Sequence, residues 1–256
     1  MTKRTRMSVQ PQESGIDGYW RAIQVLQAKV IQSQRDLLER VAQAMAETIQ
    51  GGRRIFVFGT GHSHMLAEEA HFRAGGLAPV TPILLSGLML HESALLSGRL
   101  ERTAGIVEPL LDRYGPQAGD MLFVFSNSGV NHAPVEMALA AKARGLTVAA
   151  VCSLAYARVA PLSAAGKRLF EVADFVIDNC GEPGDSLIPL AEAPWRVGPS
   201  STVVGALLWN CLVTDTAFRL QAAGAAAPVY ASLNLPGAAE HNAALLERWR
   251  PLNPHI

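Results

Sequence analysis

Residues 55–63 read Ile55-Phe56-Val57-Phe58-Gly59-Thr60-Gly61-His62-Ser63, four apolar residues in a row and then a turn of glycine, hydroxyl and imidazole side chains. A short apolar run without alternation marks a strand buried on both faces, the habit of parallel sheets. In such sheets ligands bind beyond the carboxyl ends of the strands, where this turn would lie. The same grammar recurs downstream. Met121 to Phe125 leads into Ser126-Asn127-Ser128-Gly129-Val130-Asn131, and Val148 to Val151 leads into Cys152-Ser153. Further apolar runs stand at Ile83–Leu85 and Phe175–Ile177.

Helical segments are expected between these strands, at 62–75, 100–114 and 133–144, the last with Pro134 in its first turn. Another helix is expected over 200–223, starting at Ser200-Ser201-Thr202. Strands alternating with helices predict an α/β domain with a parallel sheet covered on both faces. Upstream, Ile23, Leu26, Val30, Leu37, Val41, Ala44 and Thr48 step by three, four or seven, predicting a long N-terminal helix that ends at Gly51-Gly52. Its stripe could cover the sheet or pair with another subunit. Residues 1–16 read as a loose polar leader. The expected division is a helix over 17–51, a core domain over 52–223 and a C-terminal extension over 224–256.

Composition narrows the function. Hydrophobic residues make up 49% of the 256, enough to bury a large core and to exclude disorder over most of the chain. The 22 Lys and Arg balance the 22 Asp and Glu, and the basic cluster Lys3, Arg4 and Arg6 is short, so a dedicated nucleic-acid surface is not expected. Cys152, Cys180 and Cys211 lack the short spacing of a disulfide framework or a zinc ribbon. No secretory signal is legible, and the most apolar windows are shorter than the ~20 residues of a membrane span. The expectation is a soluble, cytoplasmic protein.

Glycine lets a backbone approach an oxyanion, a helix N-terminus points N–H groups at it, and Ser, Thr or Asn side chains add hydrogen bonds. Neither of the two longer loops is followed by the Lys-Ser/Thr of a nucleotide P-loop. Gly59-Thr60-Gly61 also lacks the third glycine of a dinucleotide fingerprint, because His64 stands in its place. Hydroxyl-rich loops without lysine suit a single phosphate monoester better than a triphosphate.

The pairing of Gly59-Thr60-Gly61-His62-Ser63 with Ser126-Asn127-Ser128-Gly129 resembles the SIS (sugar isomerase) domain family, which includes phosphoheptose isomerase, arabinose 5-phosphate isomerase and N-acetylmuramic acid 6-phosphate etherase. The strings FVFGTGHSHMLAEE, RAGGLAPVTPILLSGLMLHES and SNSGVNHAPVEMALAAKARGL extend the resemblance to one subfamily over roughly residues 17 to 250. It implies a three-layer fold with a five-stranded parallel sheet flanked by helices, and recognition of a phosphorylated sugar. It also implies a symmetric oligomer, expected as a homodimer or homotetramer. By resemblance Ser63, Ser126 and Ser128 contact phosphate, with Gly61 and Gly129 shaping the loops. Asn131 stands where many relatives have Ser or Thr.

Aldose–ketose isomerisation moves a proton between adjacent carbons and needs a base, usually Glu or His. His62, His64, Glu68, Glu69 and His71 crowd the first helix, and His64, Glu68 and His71 share one face, as a polar stripe or as metal ligands. Relatives carry a working glutamate ten residues beyond the first-loop serine, where this chain has Arg73. Glu69 falls where phosphoheptose isomerase has a metal-binding histidine, so a divalent metal is not supported, and no organic cofactor is required. His91 and Glu92 lie near a functional histidine of arabinose 5-phosphate isomerase. The expected catalytic candidates are therefore His91 and Glu92, then Glu69, with His132 and His241 as surface or helix-start residues. The expectation is a sugar-phosphate isomerase, with a lyase or etherase and a non-catalytic phosphosugar sensor as alternatives.

Overall fold

The computed structural model describes residues 14–256, so Lys3, Arg4, Arg6 and nearly all of the expected leader lie outside the described residues. The Ser14 hydroxyl caps helix α1 (Gly15–Gln50) by accepting from the Asp17 amide at 3.1 Å. The central sheet contains β1 (Ile55–Gly59), β2 (Val80–Pro82), β3 (Met121–Phe125), β4 (Thr147–Cys152) and β5 (Phe175–Asp178), all parallel, in the order β2-β1-β3-β4-β5. Every residue of β1 and β3 is buried, as their unbroken apolar runs require.

Alternate residues of the strands feed two cores. Ile55, Val57, Phe123 and Phe125 pack with α1, α2 (His64–Glu69) and α7 (Ser201–Ala222) on one face. Phe56, Phe58, Leu122 and Val124 pack with α4 (Val107–Tyr114) and α5 (His132–Ala143) on the other. The helices that follow β1 and β3 therefore lie on opposite faces. The remaining elements are α3 (Ala94–Leu100), α6 (Leu154–Val159), α8 (Ala238–Trp249) and a small antiparallel hairpin of β6 (Ser186–Pro189) and β7 (Arg196–Pro199).

Helix α1 covers the sheet of its own chain, packing along α7 and against β5. Its stripe departs from the expected one. Leu37, Ala44 and Thr48 are only half-buried, while Leu38, Ala42, Met45, Ala46 and Ile49 are buried. A straight helix turns about 20° past a strict seven-residue step, so the steps from Val30 to Leu37 to Ala44 drift off the contact line. Among the described residues α7 alone is long and apolar enough to cross a bilayer, and here its Val204, Leu208, Trp209, Leu212 and Leu220 are core.

Three expected elements also differ in extent. The helix expected over 62–75 is a tight turn at Gly61–Ser63 followed by the short α2, which ends at Glu69. The strand expected at Ile83–Leu85 lies earlier, at Val80–Pro82, because the ladder ends where Ile83 N–H reaches the Val57 carbonyl at 2.8 Å. Leu84 then turns both its amide and its carbonyl to the Tyr114 hydroxyl, at 2.7 and 3.1 Å. The helix expected over 100–114 is confined to α4 from Val107, because residues 101–106, with Gly105 at φ +82°, separate it from a helix that ends at Leu100.

Both sheet edges are covered. At β5 the Asp178 amide donates to Gln34 Oε1 of α1 at 3.2 Å. At β2 the Asn253 side-chain amide donates to the Val80 carbonyl at 3.3 Å, and buried Arg54 donates to the Leu252 carbonyl at 2.8 Å.

Candidate functional site

Strand order alone locates a crevice. The chain steps from β1 to β2 on one side and returns to β3 on the other, and the following helices leave on opposite faces, so the loops after β1 and β3 splay apart at the switch point. Those are the two hydroxyl-rich loops. They line one cavity of about 330 Å³ with Thr60, Gly61, His62 and Ser63 on one side and Ser126, Asn127, Ser128 and Asn131 on the other. A larger cleft of about 470 Å³ lies between α1 and α7, but it shares no lining residue with this cavity and gathers no loop hydroxyls.

The first loop folds back sharply. A Cβ on Gly59 would stand 2.3 Å from the Ser63 carbonyl oxygen, so only glycine fits. The second loop turns at Gly129, with φ +61°, and delivers the chain to the N-terminus of twelve-residue α5. Asn131 takes the capping position there without bonding its side chain to the helix. Among the described residues the hydroxyls of Ser63, Ser126 and Ser128 have no hydrogen-bond partner, nor do the amides of Asn127, Ser128 and Gly129. The loop thus presents donors around a small space, backed by the positive end of a helix dipole.

The opposite wall carries Glu101, Tyr156, Asp185 and Ser201. Asp185 sits at φ +66° and caps α7: its carboxylate accepts from the Ser200 and Ser201 amides at 3.1 and 2.8 Å and from their hydroxyls at 3.0 and 2.6 Å. Glu101, at the break between α3 and α4, accepts from the Thr60 hydroxyl at 2.8 Å through Oε2. Its Oε1 pairs with the exposed Arg102 guanidinium at 2.7 Å. No Lys or Arg lines the cavity among the described residues.

Of the residues singled out in the sequence, Gly61, His62, Ser63, Ser126, Ser128 and Asn131 meet in this cavity, with Gly129 just behind them. His91 and Glu92 are exposed; their neighbours Leu90 and Ala94 line the wall. Glu69 points away, held by Arg73 and by the Asn210 side-chain amide at 3.2 Å. His132 stands 3.6 Å from Glu136, and His241 contacts the Val229 carbonyl at 2.8 Å.

The stripe of His64, Glu68 and His71 does not converge as ligands. His64 is buried with both ring nitrogens unpaired by hydrogen bonds, and burial pushes its imidazole down to about 4, with His91 nearby acting in the same direction. Its Nδ1 lies 3.7 Å from Glu68. His71 is instead lowered by burial and packs near His255. No group of three His, Cys, Asp or Glu side chains among the described residues is arranged to hold a metal ion. With Glu69 tied to Arg73, the residues present do not fit the divalent metal that the family resemblance brings to mind.

Thr60, Asn127, Glu101, Tyr156, Asp185 and Ser201 were not singled out from the sequence. Thr60 and Asn127, inside the two hydroxyl-rich loops, and Ser201, in the hydroxyl run that opens α7, carried a local signal. Glu101 was hidden inside an apparently continuous helix.

The sequence model described as the SIS domain matches residues 18–153, more than half of the chain. A UPF0309 protein of Brucella canis is 44% identical over 219 residues, covering 86% of this chain and 89% of that protein. A UPF0309 protein of Brucella melitensis biotype 2 matches to the same extent. In three dimensions the chain is similar to a phosphoheptose isomerase from Francisella tularensis, with a TM-score of 0.50 and 15% identity, over 80% of this chain and 98% of that one. That likeness is one of fold.

Proposed function

The chain belongs to the SIS-domain family, and from that premise we propose that it binds a phosphorylated sugar and interconverts its aldose and ketose forms. The observation that carries the reading is the meeting of the two hydroxyl-rich loops in one cavity at the sheet's switch point. Phosphate is held by the Ser63, Ser126 and Ser128 hydroxyls, the second-loop amides and the N-terminus of α5, with Asn131 beside them and Gly61 and Gly129 shaping the backbone. This cradle uses no lysine or arginine, so it suits the modest charge of a monoester. The similarity to a phosphoheptose isomerase supports a sugar phosphate as the bound species. His91 and Glu92, exposed between the lining residues Leu90 and Ala94, remain candidates to meet the sugar's outer hydroxyls.

Purified protein is incubated with a panel of sugar phosphates in heavy water. Deuterium appearing at C1 or C2 of one member, together with a ligand-induced rise in Tm, is the expected result. Binding without deuterium uptake points to a sensor, and release of a substituent without aldose–ketose exchange points to a lyase. Either result sinks the isomerase reading. Assembly as a homodimer or homotetramer belongs to the same proposal. It is supported by Trp20, Val25 and Phe218, each at least 60% exposed on α1 and α7, and light scattering tests it.

A further inference from the structure

Glu101 occupies a place that no other carboxylate among the described residues shares. Its side chain accepts from Thr60 of the first loop, while its main-chain carbonyl accepts from the Ala133 amide at 2.9 Å, in the first turn of α5 beyond the second loop. One residue thus ties both loops together and presents its carboxylate to the cavity between them, with its side chain only 14% exposed. Asp185, the other carboxylate on the wall, is committed to four donors at the start of α7. Glu69 pairs with Arg73 and lies outside the cavity lining. Glu92 is exposed outside the lining.

We infer that Glu101 is the catalytic residue that carries the proton between C1 and C2 of the sugar phosphate, an inference that rests on the isomerase reading. Its carboxylate removes the C2 proton of the open-chain aldose. The C–H electron pair becomes the C1–C2 double bond, and the carbonyl pair moves onto O1, which takes a proton. Glu101 then returns its proton to C1 as O2–H gives one up and becomes the ketose carbonyl. The proton exchanged between O2 and O1 has His62 within the same cavity. No oxidant or other reactant is consumed. Thr60 and Arg102 are positioning residues: each holds one oxygen of the carboxylate, so its face toward the cavity is fixed before a ligand arrives.

The test compares wild type, Glu101→Gln and Glu101→Asp for deuterium uptake and for the Tm rise on adding the same sugar phosphate. A positioned general base contributes roughly 10²- to 10⁴-fold, so Glu101→Gln is expected to lose at least about 100-fold in exchange rate while keeping its ligand-induced Tm rise. Glu101→Asp is expected to recover part of the rate with an altered pH profile. Glu101→Gln exchanging within a few-fold of wild type overturns the assignment and leaves the isomerase reading standing. Loss of the Tm rise in both variants, with their unliganded Tm unchanged, also overturns it, because Glu101 would then serve binding. Wild type that binds without exchanging overturns the isomerase reading and this role together.

Discussion

The loop after β1 and the loop after β3 share a composition and differ in what they leave free. The first uses Thr60 to hold Glu101, folds tightly on Gly59 and runs into the six-residue α2, whose first residue is the buried His64. The second keeps the amides of Asn127, Ser128 and Gly129 and its serine hydroxyls unpaired among the described residues and leads into the twelve-residue α5. The helix dipole acts through aligned peptide units at the terminus, and two of α5's three turns stand behind it as a regular ladder. On the proposed reading the second loop is the stronger anion site, and the first, through Thr60, positions the Glu101 carboxylate.

Gly59→Ala strikes the first loop hardest. Its new Cβ meets the Ser63 backbone, which cannot yield as a side chain would. Strain of about 3 kcal/mol, a fall in Tm of roughly 10 °C, and loss of ligand binding are expected from thermal unfolding with and without sugar phosphate. A variant that keeps both Tm and binding would show that the loop's turn is not required.

His64 distinguishes the two loops by pH. Burial holds its imidazole neutral, so the unfolded chain takes up a proton near pH 6.5 and the folded chain only near pH 4. The stability tied to its neutral form is complete above about pH 6.5 and lost progressively as the pH falls toward 4, by up to about 3 kcal/mol. His64→Leu is expected to flatten that part of the stability–pH curve. An unchanged acid slope in urea titrations at several pH values would count against a neutral, buried imidazole.

Ser128→Ala and Ser63→Ala compare the loops as phosphate ligands. A hydrogen bond to a charged group contributes about 2 kcal/mol, so Ser128→Ala is expected to weaken sugar-phosphate binding roughly 30-fold and to abolish the Tm rise at moderate ligand concentration. Ser63→Ala is expected to weaken it less than tenfold or so. Equal losses in calorimetry would erase the distinction between the loops. The smallest effect on affinity falls to Thr60→Val, which removes the donor to Glu101. Its Kd is expected to stay within about twofold while exchange slows roughly tenfold, as a lost positioning contact should.

The sheet and the two loops were legible because each depends on a few adjacent residues. Ile55–Phe58 and Met121–Phe125 are apolar enough to be buried on both faces whatever surrounds them, and glycine with hydroxyls must follow where a turn meets an anion. Glu101 was illegible for the opposite reason. Its role comes from a helix break at Gly105, from Thr60 forty-one residues earlier and from Ala133 thirty-two residues later, none of which marks position 101 itself. His91 and Glu92 stand out in the sequence through the family resemblance. The ladder ended at Pro82 instead of Leu85, and Leu90 and Ala94 took the wall in their stead. The cap from Asp185 to Ser200 and Ser201 lay equally out of reach, since fifteen residues and a hairpin separate its partners.

The closure of β2 by residues 252 and 253 has a consequence for how the protein is made. Synthesis delivers α1 first, so the β5 edge finds its cover waiting when Asp178 emerges and meets Gln34. The opposite edge must wait for a segment made much later, because Leu252 and Asn253 follow Val80 by more than 170 residues. During that interval a nascent chain carries a finished strand with an open flank, the kind of surface that chaperones bind and that neighbouring chains on a polysome can capture.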